Sequence, residues 1–206
     1  MRSIIVVLLL IYSSLSLAKE ADQAYYCDIN AIQTKDFSED MLGYEQSDYD
    51  KVFPDWLKKA KNGDKKYQFY VAKAYYFGQG VAKNKKRSLQ WYTKSSDQGY
   101  PVAKNNLSFF YSDGEIVDQD LEIYFKLLCE AATAGLSIST SNIAHFYYEK
   151  DNDKNRSFEW TMKAARQGNA FAQNSLGIMY SYGYGISLDY KEAFKWFKKS
   201  ADQGNA

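Results

Sequence analysis

Five glycines, Gly63, Gly99, Gly135, Gly168 and Gly204, stand 36, 36, 33 and 36 residues apart, and the residues between them fall into register. Val71, Leu107, Ile143 and Leu176 share one column, and Tyr75, Tyr111, Tyr147 and Tyr180 a second. Trp91, Leu127, Trp160 and Trp196 form a third. The small pairs Ser95-Ser96, Ala131-Ala132, Ala164-Ala165 and Ser200-Ala201 form a fourth. A period of this length marks stacked supersecondary units, none of which buries its apolar face alone.

Within a unit the periodicity is helical. Ala172, Leu176, Met179 and Tyr180 fall at i, i+4, i+7 and i+8, one face of a first helix. Tyr190, Ala193, Phe194, Phe197 and Ala201 do the same in a second. The second helix opens at Asn84, Asp120, Asp153 or Asp189, where a short side-chain oxygen caps free backbone N–H groups. It closes at the repeating glycine, which stops a helix cheaply in the left-handed conformation. Gly78-Gln79-Gly80 and Gly183-Tyr184-Gly185 lie between the two helices. The third unit lacks both of those glycines, so its turn near Glu149–Asn152 must be tighter. Before the first unit, Phe53, Trp56, Leu57 and Ala60 predict a half-unit over residues 52–62 that caps the stack.

These columns resemble the Sel1-like repeat, a relative of the tetratricopeptide repeat. Its unit reads roughly A-x-A-x-x-x-L-G-x-x-Y-x-x-G-x-G-V-x-x-D-x-x-x-A-x-x-W-Y-x-K-A-A-x-Q-G. The fourth unit carries it most fully, from Ala170, Ala172, Leu176, Gly177 and Tyr180 through Gly183, Gly185, Asp189, Ala193 and Trp196 to Lys199, Ala201, Gln203 and Gly204. Unit two departs at Leu127 and Ile116, and unit three lacks the turn. The resemblance implies an all-α, right-handed α-solenoid of stacked antiparallel helix pairs. Its four repeats would run over about 63–98, 99–134, 135–167 and 168–204, after an N-terminal segment 19–62 with a capping helix.

The first eighteen residues read as an export signal, with Arg2, an apolar run from Ile4 to Ile11 and small residues at Ser16-Leu17-Ala18. Cys27 follows Ala24-Tyr25-Tyr26, which is no lipidation box. The expectation is an exported protein, periplasmic or secreted, without a membrane anchor once the signal is cleaved. The whole chain carries a net charge of +1, and cleavage would remove Arg2 and leave it neutral. That balance argues against a nucleic-acid partner, whose phosphates reward clustered Lys and Arg. An oxidising compartment leaves two readings of the two cysteines open, a Cys27–Cys129 disulfide or two free thiols.

Catalytic constellations are scarce. His145 is the single histidine, and there is no Gly-x-Ser-x-Gly elbow on which to build a Ser/His/Asp triad. Some members of the Sel1-like family are described as weak β-lactamases, but after the expected signal, from Lys19 on, Ser-x-x-Lys and Lys-Thr-Gly are both missing. One His and two distant Cys make no metal site, and no cofactor is expected. Asp151-Asn152-Asp153-Lys154-Asn155 begins like a calcium loop, yet Arg156 replaces the required Gly and Met162 the bidentate Glu.

Stacked helix pairs curve, and the curvature creates an extended concave face. By analogy with the tetratricopeptide groove, that face is lined by one stripe of each first helix. Unit one offers Phe69, Lys73 and Tyr76, and unit two Asn105, Phe109 and Ser112. Unit three offers Ser141, His145 and Tyr148, and unit four Asn174, Ile178 and Ser181. Large apolar residues here anchor a protein partner if exposed, or are core if the curvature buries them. The flank of unit four, without a polar cap, is a second contact surface, for a partner or another copy. The expectation is therefore a non-enzymatic protein-binding scaffold. The resemblance adds two roles: an immunity protein that neutralises an antibacterial effector such as a phospholipase, or an envelope adaptor. The alternative is a weak hydrolase acting on β-lactam or cell-wall substrates.

Overall fold

The computed structural model describes residues 27–32, 48–149 and 152–205. The export signal expected over residues 1–18, and most of the segment 19–62 ahead of the capping helix, lie outside them. Every regular element among the described residues is helical. A half-unit helix, α1 (Tyr49–Lys61), is followed by four pairs: α2 (Lys65–Phe77) with α3 (Lys85–Asp97), α4 (Pro101–Asp113) with α5 (Leu121–Thr133), α6 (Ser137–Glu149) with α7 (Lys154–Arg166), and α8 (Ala170–Tyr182) with α9 (Tyr190–Ala201). Each helix packs chiefly on its neighbours in sequence, which makes the molecule an all-α solenoid. The half-unit helix begins three residues before its predicted start and buries Phe53, Trp56 and Ala60.

The repeat explains the helix ends. Asn84, Asp120 and Asp153 each accept a backbone N–H three residues on, at 2.9 Å, and Asp189 caps Lys191 and Glu192 in the same way. The cap residue also donates its own N–H to the column tyrosine's carbonyl: Asn84 to Tyr75 at 2.8 Å, and Asp120 to Tyr111, Asp153 to Tyr147 and Asp189 to Tyr180 at 2.9 Å each. Unit three therefore makes the same closure with a loop three residues shorter, and Asn152 takes a φ of +50° there.

The two turn glycines are needed for close approach as well as for positive φ. A Cβ on Gly185 would stand 2.1 Å from the carbonyl oxygen of Lys154, and one on Gly80 would stand 2.4 Å from that of Tyr49. Each turn thus rests on the first residues of the preceding second helix. Gln-Gly endings serve a similar joining role. Gln98 Nε2 donates to Gln68 Oε1 at 2.7 Å, and Gln68 Nε2 donates to the carbonyl of Ala60, one unit back, at 3.2 Å. Gln203, Gln173 and Ala165 repeat the relay at the same distances. Where unit two lacks both glutamines, Lys104 pairs with Glu130 instead.

The first-helix columns form the core, with Val71, Leu107, Ile143 and Leu176 all buried. The apolar face of the last second helix, over Tyr190–Ala201, is largely open. Ala193 is buried, but Tyr190, Phe194 and Ala201 are exposed, because in earlier units that face is covered by the next helix pair. Cys27 and Cys129 are joined as a disulfide, and Cys27 and Ile32 are buried against Tyr124, Leu128 and Ile143. The bridge closes 102 residues of chain, a constraint worth about 4.7 kcal/mol in the chain-entropy model.

Candidate functional site: a groove along the first helices

Of the twelve stripe residues, Phe69 and Asn105 are corrected to core positions, only 3% and 4% exposed. The cause is the neighbouring helix. Phe69 packs its ring on Tyr92 of α3 and on Tyr100 at the start of α4. Asn105 Oδ1 accepts from Ser139 Oγ at 2.8 Å and Asn142 Nδ2 at 2.9 Å, both on α6. In units one and two the first stripe position therefore joins one unit to the next. The other ten stay open in whole or part: Phe109, His145, Tyr148 and Ile178 are exposed, and Lys73, Tyr76, Ser112, Ser141, Asn174 and Ser181 are half-buried.

Two hollows sit on this face. The larger, about 420 Å³, lies between α6 and α8 and brings Ser141, His145, Tyr148 and Ile178 together. Its floor is Ser157 and Thr161 of α7, and Tyr184 of the fourth unit's turn also lines it. The smaller, about 190 Å³, lies between α2 and α4 and holds Tyr76, Phe77, Tyr92, Asn106, Phe109 and Phe110. Lys73, Ser112, Asn174 and Ser181 line neither.

Depth follows from the floor column. Tyr92, Leu128, Thr161 and Phe197 hold the same place in successive second helices, and Ser88, Tyr124, Ser157 and Ala193 the place one turn earlier. Only unit three puts small hydroxyl residues at both, and the volume left unfilled is the larger hollow. Those hydroxyls add little charge: Thr161 Oγ1 donates to the Ser157 carbonyl at 2.7 Å. Looking only at first helices misses this floor, although the drop in side-chain size down the two columns is visible in the sequence. Burial pushes the Tyr92 hydroxyl up despite a hydrogen bond from Asn106 that pulls it back, and burial pushes Tyr124 up to about 12.

Ser141, His145 and Glu149 lie on successive turns of α6 and all line the larger hollow. That is the residue set of an acyl-transfer triad, but none of the three is hydrogen-bonded to another. Among the described residues no group of three or more His, Cys, Asp or Glu is placed to hold a metal ion. No described helix is long and apolar enough to cross a membrane.

The Sel1 repeat family model matches residues 66–100, 101–136, 145–169 and 170–205, more than half of the chain. The chain belongs to the Sel1 repeat family. The putative sel1-like repeat-containing protein L21 of Acanthamoeba polyphaga mimivirus is 30% identical over 141 residues, 68% of this chain and 26% of that protein. The chitin synthase regulator SKT5 of Saccharomyces cerevisiae is 28% identical over 127 residues, 57% of this chain and 18% of that protein, so the chain spans about a quarter or less of the length of these two relatives. Among solved structures, a Sel1 repeat protein from Oxalobacter formigenes superposes with a TM-score of 0.71 at 27% identity, covering 76% of this chain and 63% of that one. A protective antigen of uropathogenic Escherichia coli, c5321, gives 0.68 at 32% identity over 74% of this chain and 33% of that one. The immunity protein Pa5087 of Pseudomonas aeruginosa shares the fold at a TM-score of 0.59 and 22% identity, over 90% of this chain and 67% of that one. The Sel1 repeat and its solenoid make the chain a protein-interaction scaffold.

Proposed function

We propose that the chain is a non-enzymatic, exported immunity protein that holds an antibacterial effector against its concave face and so neutralises it. The observation that carries the reading is the row of Phe109, Tyr148 and Ile178, each 38–42% exposed on successive first helices, Phe109 beside the smaller hollow and Tyr148 and Ile178 beside the larger. Large apolar side chains held on a rigid concave frame are what anchor a protein interface, and a solvated helix face would carry charge instead. The fold shared with a protein named as an immunity protein supports the choice of partner class. Absent hydrogen bonds between Ser141, His145 and Glu149 give hydrolysis no comparable support.

The test is affinity capture from the native host and its competitors, with the mature protein from Lys19 against a Phe109→Asp, Ile178→Asp double variant. A captured effector enzyme that is inhibited by the wild type, and lost by the variant, is the expected result. An envelope component captured instead makes the chain an adaptor. Capture that survives the double variant overturns the concave face as the working surface.

A further inference from the structure

Resting on the concave face as the working surface, we propose that the larger hollow is the seat of one arginine side chain of the partner protein. Glu149 is its counter-ion and Tyr148 the ring on which it stacks. The hollow is built where this chain leaves its own repeat pattern. Residues 137–144, the first two turns of α6, are the stretch between 66 and 205 that the family match passes over. Ser141 stands there on the wall, and Ser157 and Thr161 lie on the floor.

The charge of the hollow has one sign. Among its twelve lining residues Glu149 is the only carboxylate, and none is Asp, Lys or Arg. Glu149 is exposed and enters none of the ion pairs among the described residues. It is also the last residue of α6, where the free carbonyls of the helix end concentrate negative charge. Carboxylate and helix end therefore repel in the free protein, and a bound cation relieves both.

The cations packed nearby come from α7. Arg156 is ion-paired with Asp153 and lies over the Tyr147 ring, and the Lys154 ammonium lies 5.5 Å from the centre of the Tyr184 ring. Lys150 and Asp151, opposite in charge, fall outside the described residues. Lys154 thus takes one of the two aromatic walls and leaves Tyr148 as the open one. A guanidinium suits this lining better than an ammonium, because its plane stacks on a ring and its five donors outnumber what one carboxylate accepts. The hydroxyl oxygens of Ser141 and Ser157 can take the remainder, and Ile178 and Met179 flank the apolar stem.

The test titrates a blocked arginine, Nα-acetyl-arginine N-methylamide, into the mature protein used for capture and follows the methyl resonances of Thr161, Ile178 and Met179. Saturable shifts are expected, with a dissociation constant of roughly 1 mM for a fragment of this size, and with weaker binding of blocked lysine, leucine and glutamate. Glu149→Gln is expected to weaken arginine binding about fivefold. Thr161→Leu, which fills the floor, abolishes it, and Lys154→Met tightens it, with that gain fading in high salt. Glu149 and Lys154 are both exposed, so these variants keep the far-ultraviolet circular dichroism of the wild type. The absence of saturable shifts overturns the proposal, as does leucine or lysine bound as tightly as arginine, or arginine bound equally by Glu149→Gln. Glutamate bound more tightly than arginine and weakened by Lys154→Met overturns it too, and makes the occupant an acid. The probe needs no partner, so its failure leaves the groove standing as a binding surface. Capture that survives the Phe109→Asp, Ile178→Asp variant fells that reading without altering the titration.

Discussion

Tyr92 and Thr161 hold the same place in the second helices of units one and three, and they make opposite surfaces. The Tyr92 ring fills its site, packed on Phe69 and Phe110, with its hydroxyl accepting from Asn106 Nδ2 at 3.2 Å. Thr161 leaves its site unfilled, and a hollow of about 420 Å³ opens above it. Both second helices are thirteen residues long and capped in the same way, so the difference on the floor lies in side-chain volume. A repeat protein of this kind can place a binding hollow by shrinking one column residue while the closing hydrogen bonds and caps stay as they are.

Removing the filled floor gives the largest expected effect. Tyr92 is 2% exposed, and Tyr92→Ala is expected to cost about 4 kcal/mol in urea unfolding, since a buried aromatic ring leaves a cavity. A loss under about 1 kcal/mol would mean that the ring is not the keystone of that junction. Next comes the wall of the hollow. Gly185→Ala places a Cβ 2.1 Å from the Lys154 carbonyl at a φ of +71°, so a loss of about 3 kcal/mol is expected, together with movement of Tyr184.

Filling the hollow sharpens the contrast. Thr161→Leu is expected to change stability by less than about 1 kcal/mol, as apolar burial offsets the lost hydroxyl bond, yet it raises the floor and weakens partner binding. Unchanged binding would show that the hollow is not used. The smallest effect is at alkaline pH. Burial holds the Tyr124 hydroxyl up at about 12, above the unfolded value of 10, so its contribution is whole below pH 10 and is lost as pH rises toward 12. Tyr124→Phe is expected to flatten the fall in melting temperature over that window, and an identical slope would contradict the burial.

Periodicity placed the helix pairs, their caps and the half-unit α1, because those depend on local spacing. It also marked the stripes that face the groove. It could not place Phe69 and Asn105, since an i, i+4, i+7 pattern says which residues share a face and not where the next unit's helix crosses it. Phe194 lies on the flank of unit four: its face is apolar because repeats carry it, and exposed because nothing described lies on it. The disulfide stayed open for a related reason, as 102 residues of sequence separation say nothing of a 5.7 Å Cα distance. The floor of the hollow was legible in principle, in the step from Tyr92 and Leu128 to Thr161.

The most direct measurement is hydrogen exchange of the chain alone and bound to its captured partner. Partner binding at the concave face predicts new protection concentrated in the first helices, around Phe109 in α4, Tyr148 in α6 and Ile178 in α8, with the outer surfaces of α3, α5 and α7 unchanged. Protection confined to those second helices, with α4, α6 and α8 exchanging as they do in the free protein, would contradict it.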